Sequence, residues 1–276
     1  MGATAATIQP ENLFFLCRQI YTDSGIVLEQ GKEYLLEARL IPIMREQGLR
    51  TLDELCLLLQ ADHDRVVRRR VVEAITTNET YFFREPTQYD ALRRGFLPDL
   101  MALRQTSRKL SFWSAASSTG QEAYSLAMML SEMGLAQWNI DILGTDLNGT
   151  ILDRAREGSY SQIEVNRGLP AQMLLKYFRR AGLSWQLKDE IRRKVSFRQL
   201  DLRSNLRALG PFDVALCRNV LIYFDLETRA GILRQIHGTL FKGGCVVLGT
   251  AELGIPMCAE LYRRQTVGGT VVYVAL

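Results

Sequence analysis

Histidine is scarce, with two in 276 residues, and the five cysteines are odd in number and never in C-x-x-C spacing. Cys17, Cys56, Cys217, Cys245 and Cys258 lie scattered, mostly among apolar residues, so neither a disulfide framework nor a zinc site is expected. No apolar run approaches the roughly 18 to 20 residues that cross a bilayer. The opening residues MGATAATIQPEN lack the basic and apolar regions of a secretory signal. These absences predict a cytoplasmic protein without membrane insertion. There is no internal repeat and no low-complexity tract, and at 47% hydrophobic and 23% charged residues the chain can build one large domain plus a small one.

The formal net charge of +4 is unevenly placed. Residues 1–77 carry nine Lys or Arg against eleven Asp or Glu, whereas Lys176 to Arg207 carries ten basic residues against three acids, Asp189, Glu190 and Asp201. A second cluster, Arg65, Arg68, Arg69 and Arg70, shares its segment with the apolar helix face Val67, Val71, Ala74 and Ile75. Runs of this kind are usually solvated faces. The sharper reading is an acidic partner, either nucleic acid or a Glu-rich protein surface.

The stretch Lys109 to Asn148 spells strand, tight loop, helix, strand and then an acid. The β-rich Leu110 to Trp113 ends in small residues, Ser114 to Gly120, and an amphipathic helix starts near Gln121 with Tyr124, Leu126, Ala127 and Leu130 at helical spacing. A second strand, Ile140 to Gly144, sets Asp146 at its carboxyl end, 26 residues past Gly120 and close to where a ribose-binding acid is expected. The loop holds a single glycine and is not G-x-G-x-x-G, which disfavours a pyrophosphate and suits a cofactor with ribose but no phosphate, such as S-adenosylmethionine. An ordinary βα turn with Asp146 as a helix cap accounts equally well for this segment taken alone.

The first 75 or so residues read as a small helical domain, with helices at Glu11 to Tyr21, from about Lys32, at Leu52 to Gln60 and at Asp64 to Ile75. Pro42 kinks the second, or that helix begins at Ile41. Residues 78–108 read as a linker. Beyond Asp146 come a helix at Asn148 to Glu157, an irregular stretch to Leu169, a helix at Pro170 to Phe178, and strands at Leu183 to Leu187 and Val195 to Leu200. We place an inserted β subdomain at about 177–198. Phe212 to Cys217 is a buried strand, Leu226 to Leu240 a helix, and Gly244 to Thr250 a strand after the turn Lys242-Gly243-Gly244. Tyr262 to Val267, Gly268-Gly269 and Thr270 to Ala275 form a hairpin. Alternating β and α units that end in an antiparallel hairpin predict an α/β, Rossmann-like fold of the class I methyltransferase type over residues 109–276, with a mostly parallel sheet.

Four segments in order resemble the CheR family of chemotaxis receptor methyltransferases. They are Asn78-Glu79-Thr80-Tyr81-Phe82-Phe83-Arg84-Glu85, the loop Ala116-Ser117-Ser118-Thr119-Gly120-Gln121-Glu122 with Tyr124-Ser125, the strand end Gly144-Thr145-Asp146, and Phe212-Asp213-Val214 through Cys217-Arg218-Asn219-Val220-Leu221-Ile222-Tyr223-Phe224. The resemblance spans nearly the whole chain. It implies methyl transfer from S-adenosylmethionine to glutamate carboxylates on the cytoplasmic helices of chemoreceptors, with S-adenosylhomocysteine as product and no metal. A glutamate of reference pKa about 4.3 is ionised at neutral pH and needs no general base, which suits a chain with two histidines. The site has to supply orientation and a dry setting in which opposite charges meet.

On the family pattern Arg84 lies beside the reacting methyl, where its guanidinium fork matches a carboxylate of the substrate or of the cofactor. The resemblance implies further that Tyr223 donates its hydroxyl to the glutamate carboxylate, that Asn78 and Thr80 bond the cofactor from the linker, that Ser117 belongs to its loop and that Glu122 takes its amino group. It implies likewise that Asp146 takes the ribose, that Asp201 and Leu202 meet the adenine, and that Arg218 and Asn219 line the same cavity. Read without the resemblance, Arg84 is a surface arginine, Tyr223 a rim aromatic, Asn78 and Thr80 turn residues, and Glu122 a helix-dipole partner.

The loop departs from the family pattern of Cys-Ser-x-Gly followed by Glu-Glu-Pro, having neither that cysteine nor that proline. Lys32, Arg39, Arg45 and Arg50 are the candidates for docking a receptor. The turn Arg179-Arg180-Ala181-Gly182-Leu183 is short where some relatives carry a glycine-rich extension that grips a receptor's C-terminal peptide, so no dependence on such a tether is expected. A nucleic-acid methyltransferase is the first alternative, but the fourth-strand segment Arg218-Asn219-Val220-Leu221 lacks the prolines common in base methylation. A sensor that binds the cofactor without catalysis is the other. Nothing in the sequence demands more than a monomer, and no regulatory adaptor is identified.

Overall fold

A computed structural model of the chain describes residues 8–28, 31, 33–61, 65–135 and 137–276. Lys32 and Asp64 lie outside the described residues. Helical periodicity over the first 75 residues produces α1 (Pro10–Ser24), α2 (Glu33–Glu46), α3 (Leu52–Ala61) and α4 (Arg65–Ile75). Gly25, at φ 74°, ends α1 through its N–H to the Tyr21 carbonyl. Pro42 sits inside α2 and does not end it, so the interruption expected there is absorbed within one helix. Leu16, Ile20, Leu40, Leu55, Val67 and Val71 build a core for these four helices. Arg68 of α4 donates to both oxygens of Asp23, and Arg70 pairs with Glu46, so half of that arginine cluster serves the helical unit itself. Arg39 is tied to the end of α4 through the Ile75 carbonyl and the Thr77 hydroxyl, whereas Arg45 and Arg50 are exposed.

Residues 78–222 and 226–276 form a second unit, while 223–225 cluster with residues 1–77. The second unit contains β1 (Lys109–Ala115), β2 (Asn139–Asp146), β3 (Ser159–Ser161), β4 (Phe178–Ala181), β5 (Ser184–Leu187), β6 (Val195–Gln199), β7 (Phe212–Cys217), β8 (Leu240–Leu248), β9 (Tyr262–Val267) and β10 (Thr270–Ala275). Seven strands form one sheet in the order β6-β2-β1-β7-β8-β10-β9. β6, β2, β1, β7 and β8 run parallel, and β10 is antiparallel to both of its neighbours. The chain therefore reverses strand order between β1 and β7, and open α/β sheets bind ligands at the carboxyl ends of strands beside such a switch.

Several expectations are corrected here. Residues 78–108 are part of the core, not a linker: helices at Pro86–Ala91 and Leu97–Leu103 flank a π-turn at Leu92–Phe96, and Phe82 is 0% exposed against Tyr160 and Phe178. The segment 177–198 divides. β4 and β5 join β3 in a three-stranded antiparallel sheet, whereas β6 belongs to the main sheet beside β2. The stretch read as irregular holds β3 and a short helix, Gln162–Asn166, whose capping box is made by Ser161 and Glu164. Lys242-Gly243-Gly244 is an irregularity inside β8, not a turn before it, because the register against β7 shifts between Phe212 and Val214. Gly244 fits there because a Cβ would come within 3.1 Å of three backbone carbonyls. Among the described residues no helix is long and apolar enough to cross a membrane, and no cluster of His, Cys, Asp or Glu has the makings of a metal site.

Candidate functional site

Backbone strain marks the site. Six non-glycine residues among those described have positive φ, and five of them, Phe83, Glu85, Ala116, Ser118 and Asn219, fall in three of the segments singled out from sequence. Such strain persists only where surroundings over-determine it, and it concentrates at ligand clamps.

The loop after β1 turns through Ala116 (φ 61°), Ser118 (φ 50°) and Gly120 (φ 90°) into the helix Gln121–Glu132. Asp146, at the end of β2 and 8% exposed, accepts the Ser118 N–H at 2.9 Å and the Asn148 N–H at 3.0 Å. Burial pushes its carboxyl above the ordinary value, and those N–H groups oppose the shift. The Ser118 hydroxyl donates to the Asn78 carbonyl at 2.9 Å, joining the loop to the segment that carries Thr80 and Arg84. Leu200 N–H donates to the Asp146 carbonyl at 2.8 Å, which sets Asp201 and Leu202 beside the end of β2. Leu202 is buried, and the Asp201 carboxylate is gripped by Arg203 at 2.7 to 3.1 Å. Gly144 has no room for a side chain, since a Cβ would sit 2.5 Å from the Phe197 ring and 2.9 Å from the Ser117 hydroxyl. That hydroxyl is buried and has no hydrogen-bond partner among the described residues.

A second group centres on Arg218, at the end of β7, whose side chain is 1% exposed. Its Nη1 donates to Glu122 at 2.8 Å, its Nη2 donates to the Arg84 carbonyl, and Glu85 lies 3.8 Å away. The other Glu122 oxygen accepts from Ser114 at 2.8 Å. Burial raises the Glu122 carboxyl, with Arg218 opposing; burial also raises Glu85, but bonds from Thr250 and the charge of Arg218 leave that carboxyl below its ordinary value. Arg218, expected to line the cofactor cavity, therefore turns its guanidinium into the protein. Arg84 differs: it is half-buried, donates to the Glu79 carbonyl at 3.1 Å, and makes no ion pair among the described residues. Tyr223 is half-buried and clusters with the helical unit.

Two acids escaped the sequence reading. Glu85 accepts from Gln88, from the Thr250 N–H and hydroxyl and, at 3.4 Å, from the Asn219 amide. Glu252 is 0% exposed and accepts four backbone N–H groups. Position along the chain offers no signal for either, because their partners lie up to 165 residues away.

Carboxylates at the first helical turn and at the end of β2 are poorly suited to phosphate and well suited to ribose hydroxyls and an ammonium group. The buried Ser117 hydroxyl and the apolar Leu202 complete a set of polar and apolar groups that fits S-adenosylmethionine. The fold and this site define a class I S-adenosylmethionine-dependent methyltransferase. Residues 78–260 match the family model described as CheR methyltransferase, SAM binding domain, and residues 11–76 match CheR methyltransferase, all-alpha domain. Chemotaxis protein methyltransferase 1 of Pseudomonas aeruginosa is 42% identical over 234 residues, covering 83% of this chain and 85% of that protein. Chemotaxis protein methyltransferase Cher2 of Pseudomonas putida is 38% identical over 259 residues, covering 91% and 93%. Among solved structures, magnesium protoporphyrin IX methyltransferase from Synechocystis covers 78% of this chain and 87% of its own at 12% identity and a TM-score of 0.36, a likeness too low to bear on the fold. The chain belongs to the CheR family of chemotaxis methyltransferases.

Proposed function

We propose that the protein methylates glutamate side chains on the cytoplasmic helices of chemoreceptors and works in the cytoplasm. The observation that carries this reading is the division of labour between two arginines. Arg218 is held inside the protein by Glu122, Glu85 and the Arg84 carbonyl, whereas Arg84 is joined to the same cluster through its backbone and makes no ion pair among the described residues. A cation so placed receives an incoming carboxylate.

S-adenosylmethionine supplies the electrophilic methyl group. The acceptor glutamate, ionised at neutral pH, would offer its oxygen to that methyl group with no proton to be moved, so no general base is called for. Arg84 orients the carboxylate, and Tyr223 donates its hydroxyl to it. Asn78, Thr80, Ser117, Glu122, Asp146, Asp201, Leu202 and Asn219 hold the cofactor, with Glu122 taking its amino group and Asp146 its ribose. Against nucleic acid as acceptor, four of the ten cations of the basic stretch have acidic partners: Lys176 on Glu132, Arg192 and Arg193 on Asp189, and Arg203 on Asp201. Purified protein is incubated with methyl-labelled S-adenosylmethionine and either receptor-bearing membranes or nucleic acid. Label on membrane protein that leaves as methanol in mild base supports the reading; base-stable label on nucleic acid overturns it.

A further inference from the structure

Glu252 lies just past the end of β8 on the 3-10 turn Thr250–Glu252, and nothing in the reaction scheme uses it. Its side chain is nevertheless the most heavily bonded buried acid of the site. Oε2 accepts the N–H of Asn219 and of Gly249, both at 2.7 Å, and Oε1 accepts the N–H of Val220 at 2.8 Å and of Leu221 at 2.7 Å. Three of these donors are consecutive residues of the segment after β7. The first, Asn219, is held at φ 59°, a left-handed conformation that an isolated chain populates sparsely. Glu85 holds the same residue from its side chain and holds Thr250, two residues before Glu252, through that residue's N–H and hydroxyl.

We propose that Glu252 is a positioning residue whose carboxylate fixes the backbone of Asn219, Val220 and Leu221 in the conformation that receives S-adenosylmethionine. The chemistry of the donor set calls for a carboxylate. Four N–H groups converge on two oxygens, and a glutamine of the same shape would turn an NH₂ toward two of them, leaving those donors without acceptors in a buried place. Glycine at 249 belongs to the same device, because a Cβ there would sit 2.8 Å from both Asn219 Nδ2 and Glu252 Oε2 and 3.0 Å from the Asn219 backbone nitrogen.

The proposal depends on cofactor binding by the family and not on glutamate as acceptor. If the unaltered protein binds S-adenosylhomocysteine but labels no receptor, the acceptor assignment falls and the clamp stands. The test compares the full chain with Glu252→Gln by calorimetric titration with S-adenosylhomocysteine and by amide hydrogen exchange. Expected are slow exchange at 219–221 in the unaltered protein, fast exchange there in the variant with the sheet still protected, and affinity for S-adenosylhomocysteine at least about tenfold weaker. A folded variant whose affinity stays within about twofold overturns the proposal. So does unchanged protection of 219–221. Should Glu252→Gln fail to fold, Gly249→Ala spreads the same contacts without removing an acceptor and must show the same two effects.

Discussion

Replacing Arg218 with methionine keeps most of the side-chain volume and removes the only charge that faces Glu122 and Glu85 from β7. The Arg218–Glu122 pair is buried, with side-chain exposures of 1% and 12%, so the loss leaves an uncompensated acid and should destabilise the catalytic unit by about 3 to 5 kcal/mol. For a unit of this size that lowers the unfolding midpoint by roughly 6 to 20 °C. The three tryptophans, Trp113, Trp138 and Trp185, all lie in the catalytic unit, so intrinsic fluorescence follows that unit alone. The pH dependence has a definite sign. Burial holds the Glu122 carboxyl above its ordinary value, and without Arg218 it rises further, so the folded variant retains a proton that the unfolded chain releases. Glu85 shifts in the same sense, because Arg218 helps hold it low. The unfolded chains are alike and cancel, so the gap should be wide near pH 8 and narrow as pH falls, where the folded variant takes up protons at Glu122 and Glu85 that the unaltered fold, with its lower carboxyls, does not. A gap under about 2 °C, or one that does not change with pH, would refute the assignment of Arg218 as the buried counter-ion.

Tyr223→Phe should slow methyl transfer to receptors while leaving affinity for S-adenosylhomocysteine within about twofold; a large loss of binding in calorimetry contradicts a role toward the acceptor. Gly144→Ala forces a methyl toward the Phe197 ring at 2.5 Å and should cost about 1 to 3 kcal/mol in urea unfolding, with cofactor affinity falling as the loop shifts. Asp146→Asn turns an NH₂ toward one of two backbone donors, so both stability and S-adenosylhomocysteine affinity should drop by about 1 to 3 kcal/mol, against no change if Asp146 is merely a solvated cap. The β4–β5 hairpin closes through Gly182-Leu183 alone, and titration with a receptor C-terminal peptide should give no saturable binding.

Where the signal is local, sequence and structure agree closely. β7 runs over the expected Phe212–Cys217, the closing hairpin has the expected limits, and the helix after the loop starts at Gln121 as its apolar spacing requires. Misreadings arose where distant partners decide. Phe82 reads as part of a linker until Tyr160 and Phe178 close around it, and β6 reads as part of an insertion until β2 pairs with it. Among the proposed site residues, Asp146 and Glu122 stand out in the sequence because position at a strand end or first helical turn has its own meaning. Arg218 was visible as a residue but not as a buried cation, since only the convergence of Glu122, Glu85 and the Arg84 carbonyl assigns it that task. Glu85 was visible only as the end of a matching segment and Glu252 not at all, because the bonds that give them their tasks reach Asn219, Thr250, Val220 and Leu221 from far along the chain.

The measurement that tests the central claim most directly is peptide mass spectrometry of chemoreceptor recovered after incubation with the protein and S-adenosylmethionine, with and without mild base. The account predicts a methyl group on glutamate side chains of the cytoplasmic helices that disappears after base. Methylation found on lysine, arginine or nucleic acid, or a glutamate signal that survives base, would contradict it.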